Sequence, residues 1–343
     1  MVPRFNEVRA ALPDELRGRC SPELKLCIIE LQTPVCQTPG DIITHARADR
    51  QALHDACVEA GCLAAAAGSH PYANWQQLPY IPSEHYRWVK RETGYVSDRM
   101  MAFGLHIHVG MDTPQATLYC MHELRRWVYP LAALFANSPF YEGLDTGLDS
   151  VRLHLFGAMP RTGLPPDVAT MDDMQRLYDT LLAAQDVTAP GDLWWIMRPQ
   201  PPLGTLEIRA FDLPTQCEQL GVAAALCQTA MTHFRQNMLA GRERTPLNDT
   251  FLRENLWKAM RHGLDTKIVD AHTAEVLEMR DHLARFFDML GDTAAKLGNS
   301  EWLEAARHLL DTGNGATQQR RRAAACNGDL CQLELDIAAR SMQ

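Results

Sequence analysis

Apolar and polar residues alternate with a period of two in only a few stretches of this chain, most clearly in Gly104-Leu105-His106-Ile107-His108-Val109-Gly110. Successive strand side chains point to opposite faces. Phe103, Leu105, Ile107 and Val109 therefore make one apolar face, while His106 and His108 share the other with Gly104 and Gly110. Thr205-Leu206-Glu207-Ile208-Arg209 repeats the plan, with Leu206, Ile208 and Ala210 apolar and Thr205, Glu207 and Arg209 opposite them. The two segments are expected to be neighbouring strands that line one charged site. A third alternation runs from Glu23 to Thr33, with Leu24, Leu26 and Ile28 on the same parity as Glu30 and Gln32, and Cys27, Ile29 and Leu31 on the other. Glu30 is thus a carboxylate inside an otherwise apolar strand.

The remaining pattern is mostly helical. A short helix is expected over 8–19, and Pro39-Gly40-Asp41 opens another that runs to about Gly61. A short strand Leu63–Ala67 then ends in Gly68-Ser69-His70-Pro71, and residues 71–98 are irregular with one helix near Glu84–Arg91. Asp112-Thr113-Pro114 supplies an N-cap with proline at the first helical position, and Leu118, Met121, Leu124, Val128, Leu131 and Phe135 give that helix a buried stripe ending at Asn137-Ser138-Pro139. Turn formers and charges crowd 137–166, a helix follows Thr170, and the Glu207 strand is entered through the proline-rich Pro199–Pro202. From Pro214 onward helices are predicted over 215–240, 249–262, 273–290, 300–311 and 316–339. Strands early and helices late predict an α+β fold, with helices packed on one face of a mainly antiparallel sheet.

The 343 residues and formal net charge of −9 argue against a nucleic-acid surface. Ten cysteines form no Cys-x-x-Cys pair, and Met1–Glu7 does not resemble a secretory signal, so reduced thiols and a cytoplasmic location are expected. Uncharged stretches such as Leu63–His70 fall far short of the roughly 20 apolar residues that cross a bilayer, so no membrane is expected.

His106 and His108 are candidate metal ligands, because alternate strand positions place both imidazoles in one cavity. A His-x-His pair alone more often describes histidines satisfied by hydrogen bonds; the flanking glycines favour close approach of a ligand. Glu207 and Arg209 form either an exposed ion pair of little worth or, with Glu30 and the histidines, a mixed acid, imidazole and guanidinium site. Such a mixture suits phosphoryl transfer, since Mg²⁺ prefers carboxylate oxygen and substrate phosphates while arginine forks onto phosphate or carboxylate. Arg152, Arg198 and Asn137 are further polar candidates in nearby loops, a surface or capping role being equally open for each. The seven tryptophans are assigned to the core, and Arg320-Arg321-Arg322 to a solvated helix face within reach of an anionic ligand.

Several ordered motifs carry a resemblance. They are Gly68-Ser69-His70-Pro71, Gly104 to Gly110, Ala136-Asn137-Ser138-Pro139-Phe140, Asp145-Thr146-Gly147 with Ser150 and Arg152, Thr205 to Arg209 with Asp212, Arg253-Glu254-Asn255 with Trp257, and Gly313-Asn314-Gly315-Ala316. With them the chain resembles the carboxylate–amine ligases of the glutamate–cysteine ligase type 2 family, in the glutamine synthetase-like superfamily. The resemblance implies one domain over 1–343 with a curved antiparallel sheet and a helical C-terminal third. It implies ATP and Mg²⁺ as cofactors, an acyl phosphate formed on a substrate carboxylate such as that of glutamate, amide formation with an amine such as that of cysteine, and a homodimer. By the same resemblance Glu30, His106 and Glu207 are metal ligands, Arg209 faces phosphate, Arg152 meets phosphate or substrate carboxylate, and His108 and His70 line the cavity; His108, Arg209, Asn137 and Arg198 are the residues expected to contact the cofactor. Two departures follow. The family's opening strand, of pattern Gly-x-Glu-Glu-Glu, stands upstream of the segment matched by residues 2–16, and Ile196-Met197 occupies a place where relatives often carry an aspartate. They motivate an alternative, a catalytically weakened member that binds nucleotide or amino acid without turnover. A metal-dependent hydrolase built on His106 and His108 is the remaining alternative.

Overall fold

The computed structural model describes residues 1–184 and 187–343. Helices α1 (Phe5–Ala11) and α2 (Asp14–Gly18) lead into an antiparallel pair, β1 (Cys20–Pro22) and β2 (Ile29–Leu31), in which Ser21 stands opposite Glu30. α3 (Pro39–Glu59) starts with a capping box in which the Thr38 hydroxyl accepts from the Asp41 amide and the Asp41 carboxylate accepts from the Thr38 amide. α4 (Glu84–Thr93) and α5 (Tyr95–Asp98) precede β3 (Gly104–Gly110), which is followed by α6 (Pro114–Leu124) and α7 (Val128–Leu134). The hairpin β4 (Phe140–Tyr141) and β5 (Leu144–Asp145), then α8 (Val151–Gly157) and α9 (Met171–Ala183), come before β6 (Met197–Gln200) and β7 (Thr205–Asp212). The rest is α10 (Cys217–Leu239), α11 (Asp249–His262), the hairpin β8 (Lys267–Val269) and β9 (Val276–Glu278), α12 (Met279–Leu297), α13 (Ser300–Thr312), α14 (Gly315–Ala325) and α15 (Leu330–Arg340).

β3, β7 and β6 form one antiparallel sheet with β7 in the middle. Ile107, Leu206, Ile208 and Ala210 are buried on its apolar face in the main core, which α6, α7 and α10 to α13 complete. The period of two then commits the opposite face to Glu207 and Arg209. Leu105 pairs with Phe211 but Ile107 with Ile208, so β7 carries one extra residue at this point. This bulge brings Arg209 beside His106. A separate core joins Phe5, Val8, Leu12 and Leu16 to Ala56 and Cys57 of α3.

Several elements differ from the sequence pattern. Of the long strand expected from Glu23 to Thr33 only β2 forms; residues 23–28 are the loop that joins it to β1, in which Lys25 bridges to Tyr80 and leaves the ladder. Helix 8–19 is α1 and α2, separated at Leu12 and Pro13. Leu63–Ala67 joins no sheet; the Ala66 amide donates to the Ser341 hydroxyl. The helix after Thr113 is two, since Pro130 has no amide for the Arg126 carbonyl and its ring crowds that turn. Met197–Gln200 is a strand despite Pro199, which an edge position tolerates. Residues 276–278 are strand rather than helix, and 316–339 breaks at Asn327 and Gly328, whose φ of 54° and 79° no continuing helix adopts. Among the described residues, no helix is long and apolar enough to cross a membrane.

Candidate functional site

Glu207 lies at the centre of the sheet and is 1% exposed. Its register partners are His108 on β3 and Arg198 on β6. Arg198 Nε donates to Oε2 at 2.5 Å and Gln200 Nε2 to the same oxygen at 2.6 Å. On the other side, Oε1 lies 3.9 Å from Arg209 Nη1 and 3.7 Å from His106 Nδ1. Burial alone raises the Glu207 pKa, but Arg209 and Arg198 outweigh it and hold the carboxyl down at about 2. Desolvation and the positive charge of Arg209, opposed by Glu207, keep His106 well below the usual imidazole range, hence neutral.

Arginine is in excess over its partners here. Arg152 is 3% exposed, its Nη2 donates to the Arg209 carbonyl at 2.9 Å, and its Nη1 is 3.9 Å from Asp212. Arg209 and Arg152 both approach the ring of Phe156, at 5.2 and 5.8 Å from its centroid. Arg152 Nη1 and Arg209 Nε are buried with no hydrogen-bond partner. Burial lowers the Arg209 pKa to about 10, which still leaves it charged at neutral pH. Unsatisfied buried guanidinium N–H groups of this kind suit an anion, phosphate or carboxylate. Gly104 serves these arginines more than a ligand. A Cβ there would fall 2.1 Å from Arg152 Nη2, so the glycine makes room for the guanidinium.

The loop between β1 and β2 completes the site with an acid that the sequence pattern missed. Glu23 stands beside Glu30, and its pKa rises to about 7 through burial and its neighbour's proximity and charge, against a smaller pull from Arg209. Strand parity places Glu23 and Glu30 on opposite faces; only the loop brings them together. The available signal was that Glu23 and Lys25 are the only charged residues between Cys20 and Ile29. Two adjacent carboxyls of which one resists ionisation fit a divalent cation, and Mg²⁺ is commonly held by one or two carboxylates with substrate phosphates. The proposed trio Glu30, His106 and Glu207 is not gathered as a metal cluster. Among the described residues, no three or more His, Cys, Asp or Glu side chains converge as metal ligands. Arg198 and Gln200 instead occupy one oxygen of Glu207.

Other candidates fall outside this cluster. His108 is exposed and its Nδ1 shares a hydrogen bond with the Thr205 hydroxyl at 3.0 Å. His70 is buried near Glu334, its Nδ1 accepting from the Tyr72 amide at 3.3 Å. Asn137 is 3% exposed and fully occupied. Its side chain donates to Leu213 O and Thr215 Oγ1 at 2.8 and 3.1 Å and accepts from Gln319 at 2.8 Å, so it is a brace and not a free ligand. Its backbone amide donates to Asp212 at 2.8 Å, and Asp212 also accepts from Ser138 at 2.6 Å and Ser150 at 2.8 Å. Gly68 packs on this carboxylate so closely that a Cβ would fall 2.7 Å from it. Asp212 therefore joins four of the sequence motifs beneath the arginines. Of the basic run, Arg320 binds Asp145 and Asp149 and so belongs to this frame.

The sequence profile described as Glutamate-cysteine ligase family 2 (GCS2) matches residues 5–334. The chain belongs to this family. Among the family's curated relatives, the protein named "Putative glutamate--cysteine ligase 2" from Thermobifida fusca is 32% identical over 321 residues, covering 94% of this chain and 80% of that protein. The glutamate–cysteine ligase of Haloferax volcanii is 32% identical over 309 residues, covering 90% of this chain and 83% of that protein. The crystal structure of the glutamate–cysteine ligase of Francisella tularensis in complex with AMP shares the fold, with a TM-score of 0.71 over 100% of this chain and 85% of that chain at 12% identity. Within the GCS2 family, then, this member carries its charged face on β7, with arginines on one side and the Glu23–Glu30 loop nearby.

Proposed function

We propose that this chain is an ATP-dependent carboxylate–amine ligase, active in the cytoplasm as a homodimer of single-domain subunits. It activates a carboxylate such as that of glutamate as an acyl phosphate and passes the acyl group to an amine such as that of cysteine. The observation that carries this reading is the pair of buried, unpartnered guanidinium nitrogens, Arg152 Nη1 and Arg209 Nε, beside a carboxylate pair. Family membership and the AMP-bound relative of the same fold support it.

Each residue then has a task. Arg152 and Arg209 bind the transferring phosphoryl group and offset its charge. Arg198 and Glu207 hold one another, which fixes the position of Arg198 and keeps Glu207 ionised beside Arg209. Glu30, joined by Glu23, would hold Mg²⁺, while neutral His106 lies against Glu207 and Arg209. Mg²⁺ so placed supplies charge neutralisation for the phosphates. The test is ADP release with Mg²⁺, ATP, glutamate and a panel of amines including cysteine, with His106→Ala as control. Substrate-dependent release that the variant loses supports the ligase. Nucleotide binding without release identifies a non-catalytic family member and refutes the proposal.

A further inference from the structure

Lys25 sits midway along the Glu23–Glu30 loop and is 2% exposed. Among the described residues no carboxylate forms an ion pair with it. Its Nζ lies 3.7 Å from the centroid of the Tyr80 ring and donates to the Leu78 carbonyl at 3.4 Å. The ring is itself fixed. Tyr80 Oη donates to Asp98 at 2.8 Å and lies 3.0 Å from the Ser97 hydroxyl, while Lys90, also paired with Asp98, stands 4.9 Å from the same ring. Around this contact the backbone pairs as a short ladder: Lys25 bridges to Tyr80, the Leu26 amide donates to Pro79 and the Ile81 amide to Leu24.

An unpaired ammonium is an expensive choice for a buried position that leucine or methionine could fill. What it offers is register. The charge is satisfied in one alignment only, over Tyr80 and against Leu78, whereas a slip by one residue would place the side chain on the other face. Glu23 and Glu30, on either side, depend on that alignment to meet. Resting on the reading of these two acids as the cation-holding pair, we propose that Lys25 is their positioning residue. Held over the Tyr80 ring, its ammonium locks Leu24–Leu26 against Pro79–Ile81 and so sets where the carboxylates come together.

The test uses the full chain with Lys25→Met, which keeps the bulk and removes the charge. The Mg²⁺ concentration for half-maximal ADP release is expected to rise about tenfold, as for other residues that orient ligands, while kcat at saturating Mg²⁺ stays within about twofold. Amide exchange over residues 24–31 should quicken while exchange in α12 does not change. Tyr80→Phe keeps the ring and should retain the wild-type Mg²⁺ midpoint; Tyr80→Leu should reproduce Lys25→Met, and the double variant should add nothing further. An unmoved Mg²⁺ midpoint in Lys25→Met, whatever happens to its stability, overturns the proposal. Absence of ADP release by the wild type would defeat the ligase reading instead, and exchange over 24–31 would then decide the role of Lys25 by itself.

Discussion

Asp212 offers the sharpest test of how the site is held, through the isosteric change Asp212→Asn. Oδ2 receives the Asn137 amide and the Ser138 hydroxyl, while Oδ1 receives Ser150 and faces Arg152 Nη1 at 3.9 Å. Asparagine can keep its carbonyl at the Oδ2 position and so retain two of these bonds. Its amide nitrogen then meets Ser150 and Arg152, both donors. One hydrogen bond to a charged acceptor is lost, about 1.5–3 kcal/mol, and stranding the partner of a buried ion pair costs about 3–5 kcal/mol. Burial raises the Asp212 pKa, so the carboxylate itself carries a desolvation cost that asparagine relieves. The balance is a loss of about 3 kcal/mol, a large share of the roughly 5–15 kcal/mol typical of a folded domain. Urea unfolding followed by circular dichroism measures it. If the stranded Arg152 is the cause, Arg152→Met in the Asp212→Asn background should recover about 1 kcal/mol or more. A loss below about 1 kcal/mol in the single variant, or no recovery in the double, would show that Asp212 does not hold the arginine.

Three further outcomes follow. Gly104→Ala should displace Arg152 and lower kcat/KM at least tenfold with stability reduced by about 1–3 kcal/mol, because the added methyl takes the guanidinium's place; normal kinetics would show that the room is not needed. Glu23→Gln should raise the Mg²⁺ requirement about tenfold or more while folding cooperatively, measured by Mg²⁺ titration of ADP release; an unchanged titration would remove Glu23 from the site. Burial holds His282 at about 4 despite the opposing pull of Asp270, while the unfolded chain protonates it near 6.5. Stability should therefore be intact above about pH 6.5 and fall by up to about 1.4 kcal/mol per pH unit between 6.5 and 4, and His282→Phe should flatten that slope, as read by unfolding at a series of pH values. An equal slope in both proteins would refute this account.

The two strands that carry Glu207, Arg209 and His106 were legible in the sequence because a half-buried strand must alternate, and the alternation survives any change in its surroundings. Helices α10, α11 and α13 were legible from their polar caps and closing glycines. Glu23 was not, since its proximity to Glu30 comes from a loop whose Lys25 bridges to Tyr80, a partner 55 residues beyond that lysine in sequence. Nor was the bulge opposite His106, which changes register without altering the apolar pattern on either side of it. Asn137 looked like a ligand because a polar residue ending a helix is ambiguous until its partners are known. Here they come from Leu213, Thr215 and Gln319. Gly104 likewise has a visible consequence in the sequence, missing bulk, but the occupant of the space could be named only once Arg152 was in place.

The brace from Gln319 to Asn137 spans 182 positions of the chain, and that from Asn314 to Asp149 spans 165. Chains emerge from the ribosome in order, and closing long loops is slow and entropically unfavourable. The strands bearing Glu207 and Arg209 can thus be synthesised, and the main core begun, well before α14 exists to secure the residues beneath them. Assembly of the reactive face is therefore a late event in the birth of the molecule. A nascent protein halted before α14 would expose an arginine-rich face whose supporting carboxylate is only partly enclosed, a natural point for chaperone attention.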